Sequence, residues 1–143
     1  MKTILVSIML VFTSALYSQN EDVKQVVITF FKGFHDKDTI TMKSVCAEKM
    51  ILQSVSESSK GTQLKNEKPQ SFYQSIATIP ATILFEERIL NYSIQVDGAM
   101  AHIWTPYEFF INGEFSHKGV NAFTLFKENE QWKIVYLIDT RRK

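Results

Sequence analysis

Between residues 20 and 81, apolar residues recur mainly at the spacing that is typical of helices. A single face at helical period is formed by Val23, Val26, Val27, Phe30, Phe31 and Phe34. Asn20 is the predicted N-cap of this helix, and Asp38 is the candidate cap of a short second helix. Pro69 suits the first turn of a third helix. Between them, residues 51–55 are strand-like, and the Ser-, Lys- and Gly-rich segment 56–68 is predicted to be a mobile loop.

From Thr82 to the end of the chain the hydrophobic period changes from helical to two. The alternating segments are ILFEERILNYSIQV, AMAHIWTPYEFFI, EFSHKGVNAFTLF and WKIVYLIDTRR. Asp97–Gly98 and Asn112–Gly113 stand between them, and these dipeptides are typical of tight hairpins. The pattern predicts an α+β fold, with N-terminal helices packed on one face of a curved antiparallel sheet of four long strands and one short one.

The first 18 residues have the organisation of a signal peptide. Lys2 gives a positive start, residues 4–16 are mostly apolar, and Ser14, Ala15 and Ser18 are small residues near the predicted cleavage site. We therefore expect a signal peptide at 1–18 and one domain at 19–143, exported to the periplasm or secreted from a bacterial cell. A retained membrane anchor is the alternative, and no membrane span is expected after cleavage.

Composition and charge narrow the classes of partner. The 143 residues are 45% hydrophobic, and 16 Lys+Arg against 15 Asp+Glu give a net charge of +1. That balance argues against nucleic acid as a partner, because phosphate binding requires a concentrated basic surface. Cys46 is the single cysteine, so the chain has no internal disulfide, and a buried small hydrophobe is its expected role.

The segment VDGAMAHIWTPYEFFINGEFSHKGVNAFTLFKENEQWKIVYLIDTRR resembles the nuclear transport factor 2-like superfamily. Its recurring pieces are the turn of Asp97, Gly98 and Ala101, the aromatic WTPYEFF strand, the SHKGVNAFTLFK strand and the closing WKIVYLIDTRR. The sequence is most similar to the SnoaL-like branch described as lumazine-binding. The resemblance implies a cone-shaped, cystatin-like fold with a pocket at its wide mouth. It carries no catalytic residue across, because the catalytic sets of the superfamily's enzymes have no match here.

The Asn112–Gly113 turn predicts which residues share a face with His117. A two-residue turn places Glu108 opposite His117 and Trp104 opposite Asn121, on one aromatic face. Pro106 opposite Gly119 suggests a bulge that could break this register. A mostly apolar concavity with a few convergent polar groups is typical of a small-molecule site, here for an apolar or aromatic molecule.

The register of the last strand stays open between two alternatives. With Asn129–Glu130 as the turn, Tyr136 pairs with Phe123, and the pocket is largely apolar. A loop one residue longer or shorter brings Asp139 and Arg141 to the face of His117. The candidate ligand-binding residues are therefore Trp104, Glu108, His117, Asn121, Tyr136, Asp139 and Arg141.

The candidate chemistry of this face is limited. His117 with Glu108 could form a general acid–base pair, and structural cross-strand pairing is the alternative. The spacing of His102, His117 and Glu108 matches no metal motif, so neither a metal nor another cofactor is expected. His35, beside Asp36, is interpreted as a solvated helix end.

Three functions are consistent with these patterns. The first is an exported protein that binds a small apolar or aromatic molecule. The second is a protein-interaction module without catalysis, which forms a homodimer through the sheet face of Ala101, Ile103, Tyr107 and Phe109. The third is an isomerase- or cyclase-type enzyme that uses His117 with Glu108.

Overall fold

The helical part of the fold follows the predicted order. The computed structural model describes the backbone of residues 2–143 and the side chains of residues 19–143. Its helices in that range are α1 (Lys2–His35), α2 (Thr39–Ser44) and α3 (Pro69–Ala77). The Asp38 carboxylate accepts hydrogen bonds from the backbone N–H groups of Ile40 and Thr41, which confirms Asp38 as the N-cap of α2. Pro69 lies in the first turn of α3, as predicted.

Helix α1 begins earlier than the sequence pattern indicated. It starts at Lys2, so Asn20 lies inside the helix and the prediction that it is the N-cap is wrong. The apolar stretch before Asn20 contains neither Pro nor Gly, and nothing there interrupts the helix. The predicted signal peptide, 1–18, lies outside the residues whose side chains the structure describes, so it stays a prediction. Among the described residues, no helix is long and apolar enough to cross a membrane.

Within the described residues, seven strands form one curved sheet that does not close. They are β1 (Cys46–Ser58), β2 (Gly61–Glu67), β3 (Phe85–Ile89), β4 (Ser93–Asp97), β5 (Met100–Ile111), β6 (Glu114–Glu128) and β7 (Gln131–Arg142). Their order is β2-β1-β7-β6-β5-β3, and β4 also pairs with β5. The sheet is mixed, because β1 runs parallel to β7 while every other pair is antiparallel.

Two segments differ from the sequence prediction in their strand content. The predicted loop at 56–68 is a hairpin of β1 and β2 instead. Strand β2 is an edge strand whose residues are nearly all exposed, so it has no apolar alternation to reveal it. The predicted strand ILFEERILNYSIQV is two strands, β3 and β4, which lie one after the other along β5.

The core lies between α1 and the concave face of the sheet. Val23, Val27 and Phe30 are buried against inward residues of the central strands, and the Phe30 and Phe123 rings meet edge to face at 5.8 Å. Each such fully buried side chain contributes roughly 1.5–3 kcal/mol of hydrophobic stabilisation. Ala101 and Ile103 belong to this buried set.

The face proposed for a homodimer is therefore covered by the chain's own helix. Ala101, Ile103 and Tyr107 are at most 2% exposed, and Phe109 packs against the core. The prediction that these residues form a dimer contact is wrong, because the odd-numbered residues of β5 point towards the helices. The even-numbered residues form the outer face, where Trp104 is 47% exposed.

Candidate ligand-binding cavity

A β-bulge at Ser116 decides which side chains of β5 and β6 share a face. The Asn112–Gly113 turn forms as predicted, with Ile111 opposite Glu114 and Phe110 opposite Phe115. Phe109 then pairs with His117, so Ser116 is an extra residue with no partner across the strand. The bulge lies nearer the turn than the predicted irregularity at Pro106 and Gly119.

This bulge corrects the predicted partners of His117 and Asn121. Glu108 lies opposite Lys118 and Trp104 opposite Ala122, so both lie on the outer face of the sheet. His117 and Asn121 point towards the helices, because their partners are Phe109 and Thr105. Glu108 is thus not the acid–base partner of His117, and neither Trp104 nor Glu108 lines the cavity described below.

A second bulge, at Val135, decides the register of the last strand. The turn at Asn129–Glu130 forms as in the first alternative, with Glu128 opposite Gln131. The register then shifts between Thr124 and Leu125, so Asn121 pairs with Asp139 and Gly119 with Arg141. Asp139 and Arg141 therefore join the inner face, although the turn has the length expected for the apolar register.

The same shift removes Tyr136 from the predicted site. Tyr136 pairs with Thr124 on the outer face, and its hydroxyl donates a hydrogen bond to Gln53 Oε1 at 2.5 Å. The extra residue at Val135 turns this side chain away from the helices. Tyr136 therefore lies outside the cavity.

The inner face opens into a cavity of about 440 Å³ between the sheet, α1, α3 and the loop after α3. Its apolar lining comprises Phe34, Phe72, Ile76, Ile79, Pro80, Ile83, Phe85, Tyr107, Phe109 and Ile111. The loop is held by Lys37, whose ammonium donates to the carbonyl oxygens of Pro80 and Ile83 at 2.7 and 2.9 Å. A smaller cavity of about 60 Å³ adjoins it and shares Phe34 and Phe72.

The inner end of the cavity contains a buried carboxyl group, Glu87. Strand β3 places Glu87 on the same face as Phe85 and Ile89, pointing inward. The Asn121 amide donates to Glu87 Oε1 at 2.6 Å. Burial raises the pKa of Glu87 to about 7, and the nearby Asp139 carboxylate adds to the rise, while the Asn121 hydrogen bond and Arg141 oppose it.

Tyr107 forms the floor beside this carboxyl group, and Gly119 makes room for it. The Tyr107 hydroxyl donates to the Thr140 carbonyl oxygen at 2.9 Å and lies 3.5 Å from Asp139 Oδ2. A Cβ atom on Gly119 would overlap the Thr140 carbonyl group and stand 2.9 Å from the Tyr107 hydroxyl. A glycine at position 119 therefore leaves the space through which the Tyr107 side chain passes over β6 to reach Thr140 on β7.

Asp139 and Arg141 form an ion pair at the same end of the cavity. Arg141 Nε donates to Asp139 Oδ2 at 2.8 Å, with the Asp139 side chain nearly buried and that of Arg141 about half exposed at 53%. Glu67 and Lys65, from β2, line the cavity next to Arg141. The cavity thus has an aromatic body and a charged, partly solvated rim.

Two histidines border this region in different ways. His117 stacks on Phe109 at 4.9 Å, and its Nδ1 lies 3.1 Å from the Ser116 hydroxyl. Burial and the positive charge of Arg141 lower the pKa of His117, so its imidazole is mainly neutral at pH 7. His35 Nε2 accepts the backbone N–H of Glu87 at 2.9 Å, so the interpretation of His35 as a solvated helix end is wrong.

The remaining chemistry-bearing groups do not form a second centre. Among residues 19–143, no cluster of three His, Cys, Asp or Glu side chains could hold a metal ion. Cys46 is buried, and burial raises the pKa of its thiol to about 11, which keeps it protonated and unreactive. What the cavity offers is shape, aromatic contact and a buried acid able to give or take a proton near pH 7.

Comparison with solved structures finds many chains of the same fold at low sequence identity. A nuclear transport factor 2-like protein of unknown function from Shewanella baltica has a TM-score of 0.66 at 14% identity, covering 89% of this chain and 96% of that one. A protein of unknown function with a cystatin-like fold from Nostoc punctiforme has a TM-score of 0.65 at 12% identity, covering 85% and 89%.

A third similar structure carries a name that suggests an activity. It is a candidate dehydratase of the nuclear transport factor 2-like family from Streptomyces avermitilis, with a TM-score of 0.67 at 14% identity over 88% of this chain and 97% of that one. No protein-family model matches the sequence, and no curated protein matches it. The chain therefore has the nuclear transport factor 2-like, cystatin-like fold, as the sequence resemblance implied.

Four of the residues predicted for the site, His117, Asn121, Asp139 and Arg141, lie together at the cavity and its smaller neighbour. Glu87 was not among these candidates, although its carboxyl group accepts the Asn121 hydrogen bond at the inner end of the cavity. The signal was present, because Phe85, Glu87 and Ile89 alternate with exposed residues in the same way as the stripe around His117.

Proposed function

We propose that this chain is an exported, homodimeric protein that binds a small apolar or aromatic molecule in the cavity between its helices and its sheet. The observation that carries the proposal is the cavity itself. At about 440 Å³, it falls within the size range of small-molecule sites, roughly 300–1,000 Å³. Its walls are mainly aromatic and aliphatic, and its polar groups gather at one end.

The polar end supports binding in one orientation. His117 and Arg141 extend to the cavity from neighbouring strands, and Glu87 lies deeper, held by Asn121. A ligand would place its apolar body against Phe34, Phe72 and Phe109 and its polar group towards this end. The narrower assignment to the SnoaL-like branch described as lumazine-binding is part of the proposal and rests on the sequence resemblance alone.

Native mass spectrometry of protein recovered from the cell envelope or medium tests this proposal. We expect a bound molecule that survives purification with the wild-type chain. The Ser75→Trp variant should lose it, because Ser75 lines the cavity from α3 and an indole there fills the space. Gln74→Trp is the matched control, since Gln74 is an exposed neighbour on the same helix that does not line the cavity.

Two results would overturn the proposal. One is wild-type protein that carries no small molecule from any source and takes up none of a panel of aromatic probes. The other is a bound molecule that Ser75→Trp retains as well as Gln74→Trp does, which would place it outside the cavity.

A further inference from the structure

The inner end of the cavity has more acids than bases. Glu67, Glu87 and Asp139 line the 440 Å³ cavity, opposed by Lys65 and Arg141. The adjoining 60 Å³ cavity is lined by the same three acids with Arg141 alone. Any ligand that reaches this end therefore meets a surplus of carboxyl groups.

Glu87 has no cationic partner among the described residues. Its side-chain hydrogen bond comes from the neutral amide of Asn121, and no ion pair includes it. The guanidinium of Arg141 pairs with Asp139, and the Tyr107 hydroxyl donates a hydrogen bond to the Thr140 carbonyl oxygen. Arg141 favours the Glu87 carboxylate at a distance but is paired with Asp139, so a ligand that brings a positive charge gains a direct interaction that the protein leaves unmade.

The walls next to Glu87 suit the same kind of ligand. Phe34, Phe85, Tyr107 and Phe109 present aromatic rings to the cavity, and aromatic faces attract organic cations as well as apolar groups. An ammonium group on an aromatic or aliphatic body would thus find a carboxylate at its charged end and rings along its length.

We propose that the ligand of this cavity is a protonated amine with an apolar or aromatic body, whose ammonium group pairs with the Glu87 carboxylate. This inference rests on the proposed function, because it names the ligand class of the same cavity. A neutral ligand that accepts a hydrogen bond is the competing class, since a protonated Glu87 could donate one.

The two classes differ in the sign of their pH dependence. Ammonium binding requires ionised Glu87, so the affinity rises as pH increases through about 7. A hydrogen-bond acceptor requires protonated Glu87, so its affinity falls over the same pH range.

The groups facing Glu87 are Asp139 and Arg141 from β7, Tyr107 from β5 and His35 from α1. His117 of β6 and the β2 pair Lys65 and Glu67 line the same cavity. The pKa values of His35 and His117 are lowered from 6.5, so both stay neutral above that pH.

Isothermal titration calorimetry with three matched indoles tests the inference. The probes are tryptamine, which is cationic, tryptophol, which is neutral, and indole-3-propionate, which is anionic. We expect tryptamine to bind at least roughly tenfold more tightly than tryptophol at about pH 8.5, with indole-3-propionate weakest, because charge-assisted hydrogen bonds are the stronger kind. Tryptamine should bind more weakly at about pH 6, where Glu87 is largely protonated.

Paired variants locate the effect. Glu87→Gln should abolish the preference for tryptamine and its pH dependence, while tryptophol binding changes little. Glu86→Gln is the control, because Glu86 is the exposed neighbour that pairs with Arg88 on the other face of β3. Thermal melts confirm that each variant folds. Asp139→Asn is a second test variant, because it removes another of the acids that line the cavity. It should weaken the binding of tryptamine and leave that of tryptophol unchanged.

Each other outcome has a defined meaning. Equal or tighter binding of tryptophol or indole-3-propionate overturns the amine inference but leaves the binding function standing. Preference for tryptamine that survives Glu87→Gln overturns it as well. If none of the three indoles binds and the native protein carries no molecule, the binding function fails together with the inference.

Discussion

At the scale of single residues, Glu87 connects the sequence to the chemistry of the cavity. Alternation in β3 directs it inward between Phe85 and Ile89, and the desolvation that follows makes its ionisation unfavourable. Asn121, itself 5% exposed, supplies one hydrogen bond, which only partly offsets the loss of water. Keeping an acid at this position therefore costs free energy that an apolar side chain would not.

This cost predicts a pH-dependent stability that Glu87→Gln removes. The folded-state pKa of about 7 lies above the ordinary value of 4.5, so the native state holds its proton longer than the unfolded state does. The stabilisation is complete below about pH 4.5 and is lost as pH rises through about 7, amounting to about 3 kcal/mol. Urea unfolding of wild type and variant across this range should show a difference that grows with pH in favour of Glu87→Gln.

Glu86→Gln is the control for this measurement. Glu86 is exposed and pairs with Arg88 at 3.0 Å, so its replacement should leave the pH profile of the wild type unchanged. If the free energy of unfolding depends on pH in the same way for wild type and Glu87→Gln, the Glu87 carboxyl group is hydrated in solution. That result would contradict the description of Glu87 as a buried acid.

The sequence indicates turn residues and the faces of alternating strands better than it indicates the positions of β-bulges. Alternation and turn chemistry correctly indicated that His117 and Asn121 lie on a common face and that Asn112–Gly113 is a turn, while Asn129–Glu130 was one of two alternatives for the last turn. The bulges at Ser116 and Val135 have no comparable signal in the local sequence, because the position of a bulge depends on packing against distant parts of the fold. That is why the side of the sheet predicted for Glu108 and Trp104 was wrong although their turn was right, and why Tyr136, which faces inward only in the first alternative, lies on the outer face although the turn of that alternative forms.

At the scale of elements, the export prediction concerns residues 1–18, which include the first part of helix α1. The described side chains of α1 from Val23 onward form the buried stripe, so removal of residues 1–18 would leave the core contacts in place. We expect export through the segment led by Lys2, with cleavage after Ser18. N-terminal sequencing of the protein recovered from the periplasm or medium should therefore begin near Gln19, whereas recovery of chains that start at Met1 from the cytoplasm would refute the prediction.

The strands show which elements a sequence pattern can detect. Strands β5, β6 and β7 alternate clearly because one of their faces is buried under α1. Strand β2 and the parallel pairing of β1 with β7 were missed, since an exposed edge strand lacks apolar alternation and strand direction depends on the path of the whole chain. The polar rim of the cavity, including Lys65 and Glu67, therefore lay in a segment predicted to be a loop.

At the scale of the whole molecule, we propose the outer face of the sheet as the surface for self-association. Trp104 is 47% and Ile51 57% exposed, and the half-buried Pro106, Val120 and Ile138 lie on the same face. This face replaces the covered one of Ala101 and Ile103 as the expected dimer contact.

Light scattering of the mature chain at micromolar concentration should give twice the chain mass. Trp104→Glu should give the monomer mass, because a charge in the centre of such a contact is desolvated without a partner. Ile40→Glu is the control, since Ile40 is 80% exposed on α2, on the helical side of the sheet. A monomer mass for the wild type would exclude the dimer without affecting the cavity.

The central claim is that a small molecule binds on the helical side of the sheet, in the cavity that the two bulges place there. The most direct test is a ¹⁵N-edited NMR titration of the mature protein with tryptamine and, separately, with tryptophol. The account predicts that at least one probe shifts the amide signals of Glu87, Tyr107, His117 and Asp139 while those of Lys118, Val120 and the Trp104 indole stay unchanged. Shifts confined to the Trp104 face, or no shifts with either probe, would contradict it.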